Sequence, residues 1–261
     1  MSALSSQGAV AALELRGLGK SFGAVRALRG VSLAVHAGET VGLVGDNGAG
    51  KSTLVSLISG NARPDFGEIL VDGQLHDFRT PHEAQGAGIE TVFQYLSLVL
   101  SLDIASNMFL GRELVRPGRF GRLFGVVDKR RMRREVLHIL ERLGLSLPPP
   151  RTKVSALSGG QRQAVALMRA VYWGKHIVIL DEPTAALGVR QTQIVLDFIA
   201  RIRDQGVAVI FISHNMEHIF AAADRVVVLR LGEKIFDGAT RDLTPMDVVA
   251  LITGAGIGRE V

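Results

Sequence analysis

Two hydrophobic rhythms alternate along this chain. The opening segments AALELRGL and RGVSLAVHAGE place apolar side chains at every second position, the period of a strand with one buried face, and predict short antiparallel strands around a turn at 17–23. ETVGLVG is an unbroken apolar run and predicts a strand buried on both faces. A helix over 51–59, a strand at GEILVDG, a short helix over 82–87 and a strand at IETVF follow. From about 96 to 169 the strand signal disappears and helical periods take over, broken by VRPGRFGRLFG and LSLPPPRTK, whose Gly and Pro mark loops. Beyond them HIVILDEP, a helix over 189–204, VAVIFISH, a helix over 216–223 and the hairpin RVVVLRLGEKIFDG restore the alternation. Buried strands separated by helices form parallel sheets with right-handed crossovers. The fold class is therefore α/β, with a mainly parallel core sheet, an antiparallel β subdomain and an inserted helical subdomain. We expect one domain over 1–261, its core at about 1–95 and 170–261 and its helical part at about 96–169.

Composition narrows the chemistry only slightly. A chain of 261 residues can bury roughly three quarters of its unfolded surface and needs no staples. It has no cysteine, which removes disulfides, thiolate nucleophiles and cysteine metal sites. Residues 1–10 lack the basic and apolar regions of a secretory signal, and the apolar runs fall far short of the ~20 residues of a membrane helix. The excess of 30 Lys and Arg over 25 Asp and Glu permits an anionic ligand or a membrane-proximal partner without identifying either. DKRRMRRE leads into VLHILERLGL, with apolar Val136, Leu137, Ile139, Leu140 and Leu143, so its charges read as the solvated start of an amphipathic helix. Scattered aromatics speak against a base-stacking, single-strand binder.

The most specific stretch is GDNGAGKST, which fits G-x-x-x-x-G-K-[ST] with a strand before it and a helix after it. In such a P-loop the backbone of Gly45, Asp46, Asn47, Gly48, Ala49 and Gly50 wraps a phosphate chain, with N–H groups and a helix N-terminus facing the anion. Lys51 is expected on the β- and γ-phosphates, Ser52 on Mg²⁺ and Thr53 at the α-phosphate. In IVILDEP, Asp181 and Glu182 emerge at the carboxyl end of a buried strand, where open parallel sheets bind ligands. Neighbours on a strand point to opposite sides, which suits Asp181 to the metal and Glu182 to the attacking water as general base. His214 ends VIFISH and Gln94 ends ETVFQ. Read alone, either is ordinary. At the ends of strands beside a P-loop, His214 becomes a catalytic candidate for the γ-phosphate and the attacking water, and Gln94 one that ligates Mg²⁺ and senses the water.

A second glycine-rich helix start, LSGGQ, lies more than a hundred residues after the first. In the order P-loop, Gln94, LSGGQ, LDEP and His214, the chain resembles the ATP-binding-cassette (ABC) ATPases, a P-loop NTPase family, over nearly its whole length. The resemblance implies that Ser158, Gly159, Gly160 and Gln161 face the ATP held by a second cassette rather than this chain's own. It also implies an adenine-stacking aromatic upstream of the loop, the position of Phe22 in LGKSFGAVRAL. Gly188 stands where the family usually has an aspartate that ties the two cassettes together.

Residues 88–113 and the segment SHNMEHIFAAADRVVVLRLGEKI resemble bacterial monosaccharide importers, and the single cassette is similar to the shorter fructose-type members. Tyr95 and Ser106 depart from that group's pattern. The implied protein hydrolyses ATP with Mg²⁺ on the cytoplasmic face of the inner membrane. It pairs with a second copy beneath separate transmembrane permease subunits and drives uptake of a sugar delivered by an extracytoplasmic sugar-binding protein. Nucleic acid is not an expected partner. The resemblance leaves open another small solute, an exporter, or a soluble ABC protein of DNA repair or translation.

Overall fold

The structure, a computed structural model, describes residues 10–92, 98–118, 124–174, 176–185 and 187–255. The alternating opening segments form a four-stranded antiparallel sheet. β1 (Leu13–Phe22) and β2 (Val25–Val35) make a hairpin, with β4 (Phe66–Val71) and then β5 (Gln74–His76) beyond β1. The expected turn at 17–23 is corrected. β1 runs on through Gly17, where a shift of register between Leu15 and Leu18 marks a bulge, and the chain reverses only at 23–24. The three-residue β5 is too short to show a hydrophobic period.

The second sheet has six strands in the order β10, β9, β3, β8, β7, β6, drawn from β3 (Thr40–Val44), β6 (Ile89–Val92), β7 (Ile177–Asp181), β8 (Ala208–Ile212), β9 (Arg225–Arg230) and β10 (Glu233–Ala239). All neighbours are parallel except β9 and β10. Alternate side chains of β7 and β8 enter different cores. Ile177, Ile179, Ala208, Ile210 and Ile212 pack toward the antiparallel sheet with Leu13, Leu15 and Leu57. Val178, Leu180, Val209 and Phe211 pack toward the helices with Met168, Val195 and Phe198. Each such side chain contributes about 1.5–3 kcal/mol on burial, so the sheet is held from both faces.

The helices are α1 (Lys51–Ile58), α2 (Pro81–Gly86), α3 (Ile104–Met108), α4 (Lys129–Leu143), α5 (Gly159–Trp173), α6 (Val189–Asp204), α7 (Met216–Ala222) and α8 (Pro245–Thr253). α8 was not expected, although Thr244 and Asp247 form a capping box around Pro245 at the helix start. In α4 the Asp128 carboxylate accepts from the Arg131 N–H, and Met132, Val136, Ile139, Leu140 and Leu143 are buried. Leu137, expected on that apolar face, is 54% exposed because it stands one position round from Val136. Asn107 secures the loop before α3, bonding the N–H and C=O of Val99 and the carbonyl of Asp103 from a fully buried position. Among the described residues no helix is long and apolar enough to cross a membrane.

A buried ionic network joins the parallel sheet to the helical segment. Glu90 on β6 is 9% exposed and meets Arg112 at 2.9 Å. Arg112 also donates to the Gln85 side-chain oxygen and lies 4.7 Å over the Trp173 ring, whose Nε1 donates to the Met108 carbonyl at 2.8 Å. Burial raises the Glu90 pKa, against the pull of Arg112 and Arg169. Replacing Arg112 by Met removes the ion pair of that buried carboxylate and leaves it only Gln85 and the charge of Arg169, and urea melts are expected to show a loss of about 3 kcal/mol near neutral pH. A carboxyl raised in the native state stabilises below its ordinary range and loses that contribution as pH rises, so the deficit of Arg112→Met should narrow under acid.

Candidate functional site

At the carboxyl end of β3 the chain turns into a glycine-rich loop and then α1. Gly50, the residue before the helix, has φ 106°, and a Cβ there would lie 2.7 Å from the Ala27 carbonyl. Only glycine fits. With glycine at that position α1 starts without a side-chain cap, so its first N–H groups remain open to an anion. Lys51 folds back over the loop and donates to the carbonyls of Gly45 at 2.6 Å and Asp46 at 2.9 Å. Burial lowers its pKa, opposed by Glu182, Asp46 and Asp181. The Asp46 carboxylate accepts from the Asn47 N–H at 2.7 Å. Gly45, Asp46, Asn47, Gly48, Gly50, Lys51, Ser52 and Thr53 line a cleft of about 990 Å³, while Ala49 turns its methyl into the core at 3% exposure.

The strands beside β3 bring the other groups to the same cleft. Asp181 is the last residue of β7, and Glu182 and His214 follow the ends of β7 and β8. Glu182 does not continue the strand. Its φ is +52° and its N–H donates to the Ile212 carbonyl at 3.0 Å. The expectation that alternation would send the two acids to opposite sides is therefore corrected, because a left-handed residue turns both carboxylates into one cleft. A non-glycine residue held there costs of order 1–3 kcal/mol, a form of strain that clusters at functional sites. Burial raises the Asp181 pKa, Glu182 adds to the shift, and Lys51 opposes it. His214 Nδ1 lies 2.9 Å from Glu182 Oε2, with the imidazole 78% exposed on the cleft side.

Sequence reasoning passed over three contributors. Arg26 and Arg29 of β2 line the cleft opposite the loop, and His218 in α7 holds Thr184 Oγ1 at 3.0 Å, fastening the segment after the acids. Arg26 and Arg29 belong to no motif, and only the sheet packing reveals them. Phe22 stands at the hairpin tip, 54% exposed, outside the lining but paired across the hairpin with Val25, which belongs to it. Gln94 and Tyr95 lie outside the described residues.

LSGGQ opens elsewhere. Ser158 Oγ accepts from the Gln161 N–H at 3.3 Å, and Gln161 Oε1 accepts from the Ser158 N–H at 3.0 Å, a capping box that starts α5. Ser158, Gly160 and Gln161 line a hollow of about 400 Å³ beside α6, which shares no residue with the cleft at Lys51. Beyond the neighbouring residues and the backbone of its own helix turn, no described atom lies within 4 Å of the place where a Gly159 Cβ would stand. Gly188 begins α6 and offers no side-chain cap.

Residues 28–185 match the ABC transporter family. The chain is similar to the fructose import ATP-binding protein of Rhizobium meliloti, 46% identical over 93% of this chain and 94% of the relative. The xylose/arabinose import ATP-binding protein of Sulfolobus acidocaldarius is 40% identical over 95% of this chain and 96% of the relative. A ribose import ATP-binding protein of Chromobacterium violaceum is 39% identical, and this chain spans 47% of its length. Among solved structures, a nucleotide-free ATP-binding cassette from an ABC transporter superposes with TM-score 0.78 at 24% identity, over 95% of this chain and all of the other. A dimeric post-hydrolysis cassette bound to ADP and Pi superposes with TM-score 0.70 at 25% identity, over 88% of this chain and 99% of the other.

The raised native pKa of Asp181 carries a testable consequence. Asp181→Asn is expected to raise the unfolding midpoint of the ligand-free protein near neutral pH, because it removes a buried charge that Glu182 repels. That gain should shrink as pH falls into the carboxylate range, where Asp181 takes up a proton in the native state. Parallel urea titrations at neutral and acid pH check both parts.

Proposed function

The chain belongs to the ABC transporter family, and from that premise we propose that it is the ATP-hydrolysing subunit of a carbohydrate importer, working as a pair of copies beneath separate transmembrane permease subunits. The observation that carries the pairing is the separation of LSGGQ from the cleft at Lys51. Among the described residues the cleft is lined by a phosphate loop, two acids and a histidine. Ser158, Gly160 and Gln161 line a separate hollow at a capped helix start, where the Gly159 position is open. Two copies arranged head to tail give each ATP both halves.

In this reading Lys51 exchanges the loop carbonyls for the β- and γ-phosphates, and Thr53 meets the α-phosphate. A divalent cation fits the oxygen donors present, since burial and Glu182 disfavour the Asp181 charge and the Ser52 hydroxyl lines the same cleft. Ser52, Asp181 and Gln94 would hold Mg²⁺, which when bound offsets the phosphate charge. Phe22, exposed at the hairpin tip and paired with the cleft-lining Val25, would stack on the adenine. Glu182 Oε2 is engaged by His214, which leaves Oε1 to accept the proton of the attacking water. The water oxygen bonds to the γ-phosphorus, the bond to the bridging oxygen breaks, and ADP and phosphate result. The second nitrogen of His214 remains to contact the γ-phosphate.

The full-length similarity to a fructose import ATP-binding protein supports a sugar as cargo. Exposed Val115, Phe124, Val126 and Leu137 on the helical segment supply an apolar surface for a permease subunit. This reading keeps one domain, with a core at about 1–95 and 170–261 and a helical part at about 96–169. It places the protein peripherally on the cytoplasmic face of the cell membrane, and an extracytoplasmic sugar-binding protein acts on it only through the permease.

Lys51→Ala is expected to lose most nucleotide binding and turnover, so wild-type hydrolysis in that variant removes the loop assignment. Glu182→Gln should bind ATP, turn over roughly 10²–10⁴-fold more slowly, and run as a dimer under ATP and Mg²⁺ in size-exclusion chromatography with light scattering. A monomer there counts against the paired reading. Ser158→Arg should abolish turnover while ATP affinity of the isolated chain, read by a fluorescent analogue, stays unchanged. The cargo is tested by purifying the chain from gently solubilised membranes: a polytopic membrane protein and a sugar-binding protein support the importer, and ribosomal or DNA-repair partners overturn it.

A further inference from the structure

Gly160 of LSGGQ and Gly188 at the start of α6 lie far apart in sequence but make room for one side chain. A Cβ on Gly160 would collide with Cγ of Gln191, and a Cβ on Gly188 would come within 2.8 Å of Gln191 Oε1. Gln191 is half-buried in the first turn of α6 and lines the hollow beside α5 together with Ser158 and Gln161. Its side chain packs against Gly160 and Gly188, and so bridges the start of α5 and the start of α6 at the wall of that hollow.

On the α6 side, the described residues that follow Glu182 are tied by backbone hydrogen bonds. The Ala185 N–H donates to the Glu182 carbonyl at 3.1 Å, the Leu187 N–H to the Thr184 carbonyl at 3.4 Å, and the Thr192 N–H to the Gly188 carbonyl at 3.0 Å. Glu182 is itself pinned to Ile212, and Thr184 to His218. A shift of the α5 start that presses on Gln191 is thus passed to hydrogen-bonded turns that reach the Glu182 backbone carbonyl. Close-packed contacts of this kind transmit displacement rather than absorb it.

We propose that Gln191 is a positioning residue that couples the two ATP sites of the dimer, acting as a packing wedge between Gly160 and Gly188. The inference rests on the paired reading above, in which Gly160 faces the partner's ATP while Glu182 serves the chain's own. Closure of LSGGQ over one nucleotide then helps to set the general base at the other. Coupling between two sites typically amounts to a 5–150-fold change.

The test is the ATP dependence of hydrolysis by the full-length chain, with Glu182→Gln as control. Wild type is expected to show a Hill coefficient above one. Gln191→Ala should bring it to one and lower turnover about five- to tenfold, leaving binding of a fluorescent ATP analogue to the monomer unchanged. Gln191→Met, which keeps the reach of the side chain without its amide, should restore both readings. A Hill coefficient of one in the wild type, wild-type behaviour of Gln191→Ala, or failure of Gln191→Met to rescue would each overturn the wedge. If Glu182→Gln hydrolyses ATP at the wild-type rate or stays monomeric with it, the paired reading itself fails, which separates the two outcomes.

Discussion

Burial of β3, β7 and β8 on both faces is the constraint on which the rest of the structure depends. Strands packed against helices on one side and an antiparallel sheet on the other have no lateral surface on which to display polar groups. Chemistry is therefore confined to their ends. Parallel pairing then places those ends along one edge, so that a loop after β3, an acid ending β7 and a histidine after β8 meet although they are scattered through the sequence. The same packing hides Ala49 in the core while its neighbours in the loop face the cleft.

That edge is assembled at a local cost. Glu182 occupies a left-handed conformation, Asp181 is a carboxylate pushed toward neutrality by burial and a like charge, and Lys51 is a partly desolvated ammonium. Each is unfavourable in isolation. Together they form a set whose charges suit an anion beside a cation, while the two cores supply the stability that the edge gives up. Strain and charge are concentrated where a ligand relieves them.

Elements with a strong period were legible from the sequence. The helix over 189–204 coincides with α6, and the buried runs at 40–44, 177–181 and 208–212 became strands. The cleft was legible because its loop motif and the residues after β7 and β8 have fixed local grammar. What escaped reading was of another kind. The bulge at Gly17 lies in the pairing of two strands, Arg26 and Arg29 face the cleft only through sheet packing, and the turn of Glu182 depends on a hydrogen bond to Ile212 on a neighbouring strand. Periodicity describes a segment against an average environment, and these features belong to particular neighbours. α8 is the exception, since its capping box was written in the sequence and was overlooked.

The network at Glu90 has a practical side. Trp173 is the only tryptophan in the chain, and its ring lies beneath the Arg112 guanidinium at the junction of sheet and helices. Indole emission is quenched or shifted by a nearby charge and by access of water, so the chain carries its own optical probe where its two parts meet. Any rearrangement of the helical segment against the sheet will be written into the spectrum of a single native fluorophore, without a dye and without a background from other tryptophans.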